Sequence, residues 1–398
     1  MAIDTIHAAT VAQEAEMIAT RRDMHQHPEI AFEETRTADV IAQKLRALGL
    51  EVRTGIGKTG VVGVLRGGAA TATSRTIMVR ADIDALPIQE ANDVPYRSQQ
   101  PGKMHACGHD GHIAIVLAVA AVLTAQRATL PGNVVFLFQP AEERASGAQD
   151  MIADGALRDP QPDATIGLHL WSPFAAGTVG IKPGPIFASA DEIVLRVHGR
   201  GGHGAIPQTS IDPIIAAAAI VTGLQTLISR EIAPTQPAVV TIGSIHGGTA
   251  FNIIADEVRL HGTVRTYDAA VREHLLRRIP ELANSIAQGF RATCEYASDI
   301  GIPSCVNDPQ ITAIVQRAAE ATVGAENIIA DCMQTVGDDM SYFLQAMPGC
   351  YFLVGVGNAE RGITAPHHSA HFDMDESGLL VGTEILARAA LDFLSTVN

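Results

Sequence analysis

Between residues 35 and 170, short apolar runs at 61–65, 76–81, 133–139 and 164–168 alternate with helical periodicity at 35–48, 111–126 and about 146–153. A strand that is apolar on both faces must be covered on both, and intervening helices supply that cover. The predicted core is therefore α/β, a mixed sheet sandwiched by helices. At 398 residues the chain exceeds one ordinary core, which points to about two domains.

From about residue 185 the texture changes. Strand signals at 193–197, 238–242, 257–265 and 292–297 enclose helical stretches at 212–229 and 268–288. The order β-α-β-β-α-β is that of a ferredoxin-like unit. A third segment returns to α/β character, with helices at 309–322 and near 376–394 around a strand at 350–354. Metal-capable residues lie on both sides of the middle unit, so it reads as an insertion. The expected division is 1–186 with 301–398 for the metal-binding domain, and 187–300 for a smaller inserted α+β domain.

The formal net charge of -15 argues against nucleic acid, which needs clustered Lys and Arg, and against an anionic membrane surface. The longest apolar run, 113–123, falls short of the ~20 residues needed to span a bilayer. Five cysteines without a paired framework read as a reducing compartment. The first 17 residues lack the basic and apolar regions of a signal peptide. A cytoplasmic location is expected.

Residues able to bind metal gather where strands should end. Asp82 and Asp84 follow the run at 76–81, and Glu142 and Glu143 follow that at 133–139. His169 follows that at 164–168. His105-Ala106-Cys107-Gly108-His109-Asp110 precedes the helical stretch at 111, and His367-His368 lie near the C-terminus. In open α/β sheets, ligands collect outside the carboxyl ends of strands. Thiolate, imidazole and carboxylate suit first-row divalent ions, and a pair of such ions activates water and polarises a carbonyl. Metal-assisted hydrolysis also needs a carboxylate outside the ligand set to carry the proton. Adjacent Glu142 and Glu143 are able to divide those tasks. Any one of these motifs alone is weak; their coincidence at one sheet edge carries the reading.

These motifs resemble the hippurate hydrolase / N-acyl-amino-acid amidohydrolase family, the Cys-bearing branch of the dinuclear metallo-exopeptidases related to carboxypeptidases and aminoacylases. The similarity extends to Arg22-Asp23-Met24-His25-Gln26-His27-Pro28-Glu29, Arg80-Ala81-Asp82-Ile83-Asp84, Gly201-Gly202-His203-Gly204 and Gly262-Thr263-Val264-Arg265-Thr266. It implies two divalent ions (zinc, manganese, cobalt or nickel) on Cys107, His109, Glu143, His169 and His368. It implies Glu142 as general acid/base and His203 as an oxyanion donor reaching a neighbouring subunit's site in a homodimer. Asn252 and Arg265 would hold the substrate carboxylate. Where other branches place a metal-binding His-x-Asp, this chain has Arg80-Ala81-Asp82, and which ligand bridges the ions stays open. Asp82, Asp84 and Asp110 are expected to orient ligand imidazoles. His105, His112, His367 and His371 are expected outside the ligand set, beside it or on the surface.

The implied substrate is an N-acyl amino acid. A dipeptidase or carboxypeptidase with the same centre is the nearest alternative, and a non-enzymatic binding protein a further one, disfavoured by Glu142. Gly199, Gly201 and Gly204 satisfy G-x-G-x-x-G, yet no acidic residue stands about twenty positions on and Pro207 delays the helix, which excludes a dinucleotide fingerprint.

Overall fold

The computed structural model describes residues 3–297 and 301–396. The chain forms two compact units: Met1–Ile186 with Val306–Met333 and Asp339–Asn398, and Phe187–Cys305 with Gln334–Asp338. The expected boundary between 300 and 301 falls at the edge of 298–300, which lie outside the described residues.

The larger unit is built on an eight-stranded mixed sheet. At its centre Asn133–Gln139, Thr76–Asp82, Ala164–Ala175 and Gly349–Gly357 lie side by side in parallel. Antiparallel Gly60–Leu65 and Glu51–Ile56 complete one edge. Side chains alternate between the two faces. Ile77, Val79, Val134, Phe136, Phe352 and Val354 join the main apolar cluster, where helices His109–Thr124 and Ser377–Ser395 pack on each other and on the strands. The intervening Met78, Arg80, Leu137 and Tyr351 point the other way, where the short helices Gly147–Ala153 and Met340–Ala346 pack on the sheet.

The smaller unit has the strand order Ala238–Gly247, Glu257–Thr266, Ala190–His198, Thr293–Ala297, all antiparallel. Helices Pro213–Thr226 and Ala269–Gly289 cover one face through Ala216, Ile220, Leu224, Leu275 and Ile279. The segment Pro213–Glu231 is long and apolar enough to cross a membrane by length and composition. About 33% of it is buried, on the face that packs into this core.

Candidate metal centre

Parallel strands ending at one edge bring the candidate ligands together. Gly108 joins the strand side to helix His109–Thr124 at φ 92, a left-handed conformation that favours glycine. This turn leaves Cys107 and His109 facing the ends of the neighbouring strands. Cys107 Sγ lies 3.5 Å from His169 Nε2. Donor atoms of Cys107, His109 and His169 fall within 4.8 Å of one another, as do those of Cys107, Glu143 and His368, and of His109, Glu142 and Glu143. These overlapping triplets bring all five residues expected as ligands, together with Glu142, into one cluster.

The ring orientations are set by backbone. His109 donates Nδ1–H to the Asp84 carbonyl at 2.8 Å, and His169 donates Nδ1–H to the Leu170 carbonyl at 2.7 Å. Each ring therefore turns Nε2 toward the cluster. His109 Nε2 is buried without a hydrogen-bond partner, 3.7 Å from an Asp82 oxygen and 4.0 Å from a Glu142 oxygen. His368 adopts φ 61 with its amide N–H donating to the Ala106 carbonyl at 2.8 Å, and its Nε2 lies 3.3 Å from Glu143 Oε1.

The electrostatics are those of a site short of positive charge. Burial is the largest influence on His109 and lowers its pKa, but Asp82, Asp84 and Glu143 together push it up to about 10. Burial, then the Glu143, Glu142 and Asp82 carboxylates, raises the Cys107 thiol well above its ordinary range. Burial opposes ionisation of Glu143, yet the His368 ring 3.3 Å away and the His109 charge hold it below the usual carboxylate range. A buried imidazole nitrogen without a partner, beside thiol and carboxylates, fits a divalent cation.

Asp82, His109 and His112 also lie close enough to hold an ion, but His112 has both nitrogens engaged. Its Nε2 accepts the Leu170 amide at 2.9 Å, so Nδ1 carries the proton and donates to Asp82 at 2.5 Å. His367 is likewise engaged, donating Nε2–H to the Leu170 carbonyl at 2.9 Å and stacking on Trp171.

In the smaller unit, Gly202–His203 pairs with Ile253–Ile254, which places exposed His203 beside exposed Asn252. The Ala205 amide donates to His203 Nδ1 at 3.1 Å, leaving Nε2 to carry the ring proton. Arg265 lies on strand Glu257–Thr266 opposite Val239, half-buried, and burial lowers its pKa.

The model of Peptidase family M20/M25/M40 matches residues 78–392. The chain belongs to this family. Among related M20 proteins, a Bacillus subtilis N-acetyl-L-cysteine deacetylase is 38% identical over 96% of this chain and 89% of that protein. Thermostable carboxypeptidase 2 of Saccharolobus solfataricus is 37% identical over 95% of both. The crystal structure of Bacillus subtilis YXEP protein, described as a dinuclear metal binding peptidase from the M20 family, superposes with TM-score 0.84. It is 34% identical, covering 97% of this chain and 99% of that one. The present chain is thus an M20 hydrolase with relatives on both the deacetylase and the carboxypeptidase side.

One expectation for this M20 chain needs correction. Asp110 does not orient a ligand imidazole: one residue on from His109, about 100° round the helix, it faces Arg21 at 2.9 Å and His25 at 2.8 Å. Asp84 steers His109 mainly through its carbonyl, while its carboxylate accepts the amides of Glu142 and Glu143. Glu34, which accepts the Ala141 amide at 3.0 Å, escaped the sequence reading altogether. It sits 107 residues away, and nothing local marks it.

Proposed function

We propose that this chain is a dinuclear metal-dependent amidohydrolase of N-acyl amino acids. The supporting observation is the cluster itself: Cys107, His109, His169, Glu143 and His368 offer donor atoms in overlapping triplets, with the Glu142 carboxylate 4.0 Å from His109 Nε2. Those five residues would hold two divalent ions, zinc, manganese, cobalt or nickel. When bound, such ions polarise an amide carbonyl and make water nucleophilic near neutral pH. Glu142 takes the proton released by the attacking water and returns it to the departing amine nitrogen. Arg265 and Asn252 grip the carboxylate of the amino-acid half, and His203 donates Nε2–H to the developing oxyanion. The smaller unit is the lid and dimerisation domain. Exposed Ile206, Ile214, Ile215, Phe251 and Ile253 lie close in sequence to His203 and Asn252 and favour a homodimer. Five free cysteines agree with a cytoplasmic enzyme.

The test is Glu142→Gln, which keeps shape and removes the proton carrier. With N-acetyl and N-benzoyl amino acids as substrates, kcat should fall by about 10²-fold or more while bound metal is retained. Wild-type turnover in this variant would defeat the reading. The same panel extended to dipeptides separates aminoacylase from dipeptidase and carboxypeptidase. Preference for blocked amines supports the proposal, and preference for free α-amines overturns its substrate class.

A further inference from the structure

Asp84 is an acceptor on which three parts of the cluster converge, its Oδ1 also lying 3.4 Å from His109 Nδ1. It lies two residues beyond strand Thr76–Asp82 and is buried. Its Oδ1 accepts the Glu142 amide at 3.1 Å and its Oδ2 the Glu143 amide at 3.0 Å, while its carbonyl accepts Nδ1–H of His109 at 2.8 Å.

The turn it holds has little reason to keep its shape alone. Glu142–Arg144 is a single turn flanked by Ala141 at φ 52 and Ala145 at φ 54, both left-handed and both alanine. Such conformations are unfavourable for L-residues with a Cβ and persist only where surroundings impose them. The doubling-back is tight: a Cβ on Gly147 would sit 1.6 Å from the Pro140 carbonyl oxygen. Glu34 holds the entry through the Ala141 amide, and Asp84 holds the two residues that carry the carboxylates.

We propose that Asp84 is the positioning residue of the reaction, fixing Glu142 and Glu143 in register with His109. A carboxylate offers two acceptor oxygens on one rigid fork, one for each successive amide. Asparagine offers one acceptor and turns an NH₂ against the other N–H. Asp84 therefore acts on the reaction through Glu142 and on ion binding through Glu143, a role that rests on the proposed function.

The experiment compares Asp84→Asn with Asp163→Asn. Asp163 also accepts a backbone amide, that of Thr76 at 2.7 Å, but at the opposite end of the same strand. Metal-free protein is titrated with zinc or manganese by calorimetry, and kcat, KM and Tm are measured at saturating metal. Asp84→Asn should weaken metal affinity by about 10- to 100-fold and lower kcat by at least about tenfold. KM should stay within about twofold of wild type, since no group that grips substrate is removed. Asp163→Asn should lower Tm alone. If Asp84→Asn likewise lowers only Tm, the proposal is overturned. Hydrogen exchange on the metal-free wild-type chain is an arm that needs no variant. The Glu142 and Glu143 amides should be protected, and exchange at open-chain rates would overturn the proposal. Full activity of Glu142→Gln would defeat the proposed function itself. An inactive Glu142→Gln beside a wild-type-like Asp84→Asn would defeat only the role of Asp84.

Discussion

Cys107 Sγ stands 3.5 Å from His169 Nε2, although 62 residues of chain separate them. Burial holds the thiol protonated, with the nearby carboxylates acting in the same direction. Burial also holds His169 neutral, helped by the neighbouring His112 and His367 rings. A thiolate in such surroundings requires a cation beside it.

Cys107→Ala should therefore lose bound metal and activity together. Alanine at Cys294, Cys305, Cys332 or Cys350 should leave both in place, with stability losses confined to the buried positions. Elemental analysis beside a turnover assay checks this. Normal metal content with full activity in Cys107→Ala would remove the thiol from the ligand set.

His112 gives the converse prediction. Its two nitrogens tie strand Thr76–Asp82 to strand Ala164–Ala175, through Asp82 on one side and the Leu170 amide on the other. His112→Phe keeps a ring and removes both bonds. Each buried group left without a partner costs about 1–3 kcal/mol, so Tm should fall clearly. Metal stoichiometry should stay at the wild-type value. Loss of metal comparable to that of Cys107→Ala would place His112 among the ligands.

What the sequence revealed depended on how each element is buried. Asn133–Gln139 is apolar on both faces and was readable as a strand to the residue. Glu51–Ile56, half exposed at the sheet edge and containing Gly55, was not. Helix Glu14–Gln26 hid for a different reason. Its buried face is Met17, Thr20, Arg21, Met24 and His25, correctly spaced for a helix but half polar, so no apolar period shows. At the site, short motifs at strand ends pointed to the clustered donors. The bonds that orient them were invisible: Asp84 reaches Glu142 and Glu143 across 58 and 59 residues, and a backbone acceptor such as the Leu170 carbonyl has no side-chain signature.

That polar helix predicts a pH dependence. His25 donates to Asp110 at 2.8 Å and faces Glu90 at 3.3 Å. Burial is the largest influence and lowers its pKa, as does Arg21. Asp110 and the two hydrogen bonds outweigh them, so the net shift is upward from 6.5. A raised histidine contributes stability that is fully present below its unfolded pKa and lost as pH rises through the folded value. Glu90 behaves oppositely: burial works to raise it, but His25 and the Ser98 amide lower it from 4.5, so its contribution disappears as pH falls through its folded value. The Tm difference between wild type and His25→Gln should therefore be largest between about pH 4.5 and 6.5 and should shrink above that window. A difference independent of pH from 5 to 9 would show that His25 is not charged in the fold.

The last prediction concerns His203. It lies exposed in the smaller unit on a two-residue strand, with Nδ1 occupied by the Ala205 amide, which leaves Nε2 to carry the ring proton. An exposed donor fixed in one tautomer suits an oxyanion, and removing such a donor costs about 10²–10³ in kcat. If the smaller units pair in a homodimer, each His203 is available to complete its partner's site, which makes the dimer the least unit able to catalyse. Complementation between two inactive variants, His203→Ala and Glu142→Ala, tests this. A heterodimer has one site lacking both groups and one site with Glu142 from one chain and His203 from the other. Random pairing makes about half the dimers heterodimers, so about a quarter of wild-type sites should reappear. Activity should rise on subunit exchange and scale with the heterodimer fraction measured by native mass spectrometry. Recovery near zero in a verified heterodimer would mean that His203 serves its own subunit or no active site at all.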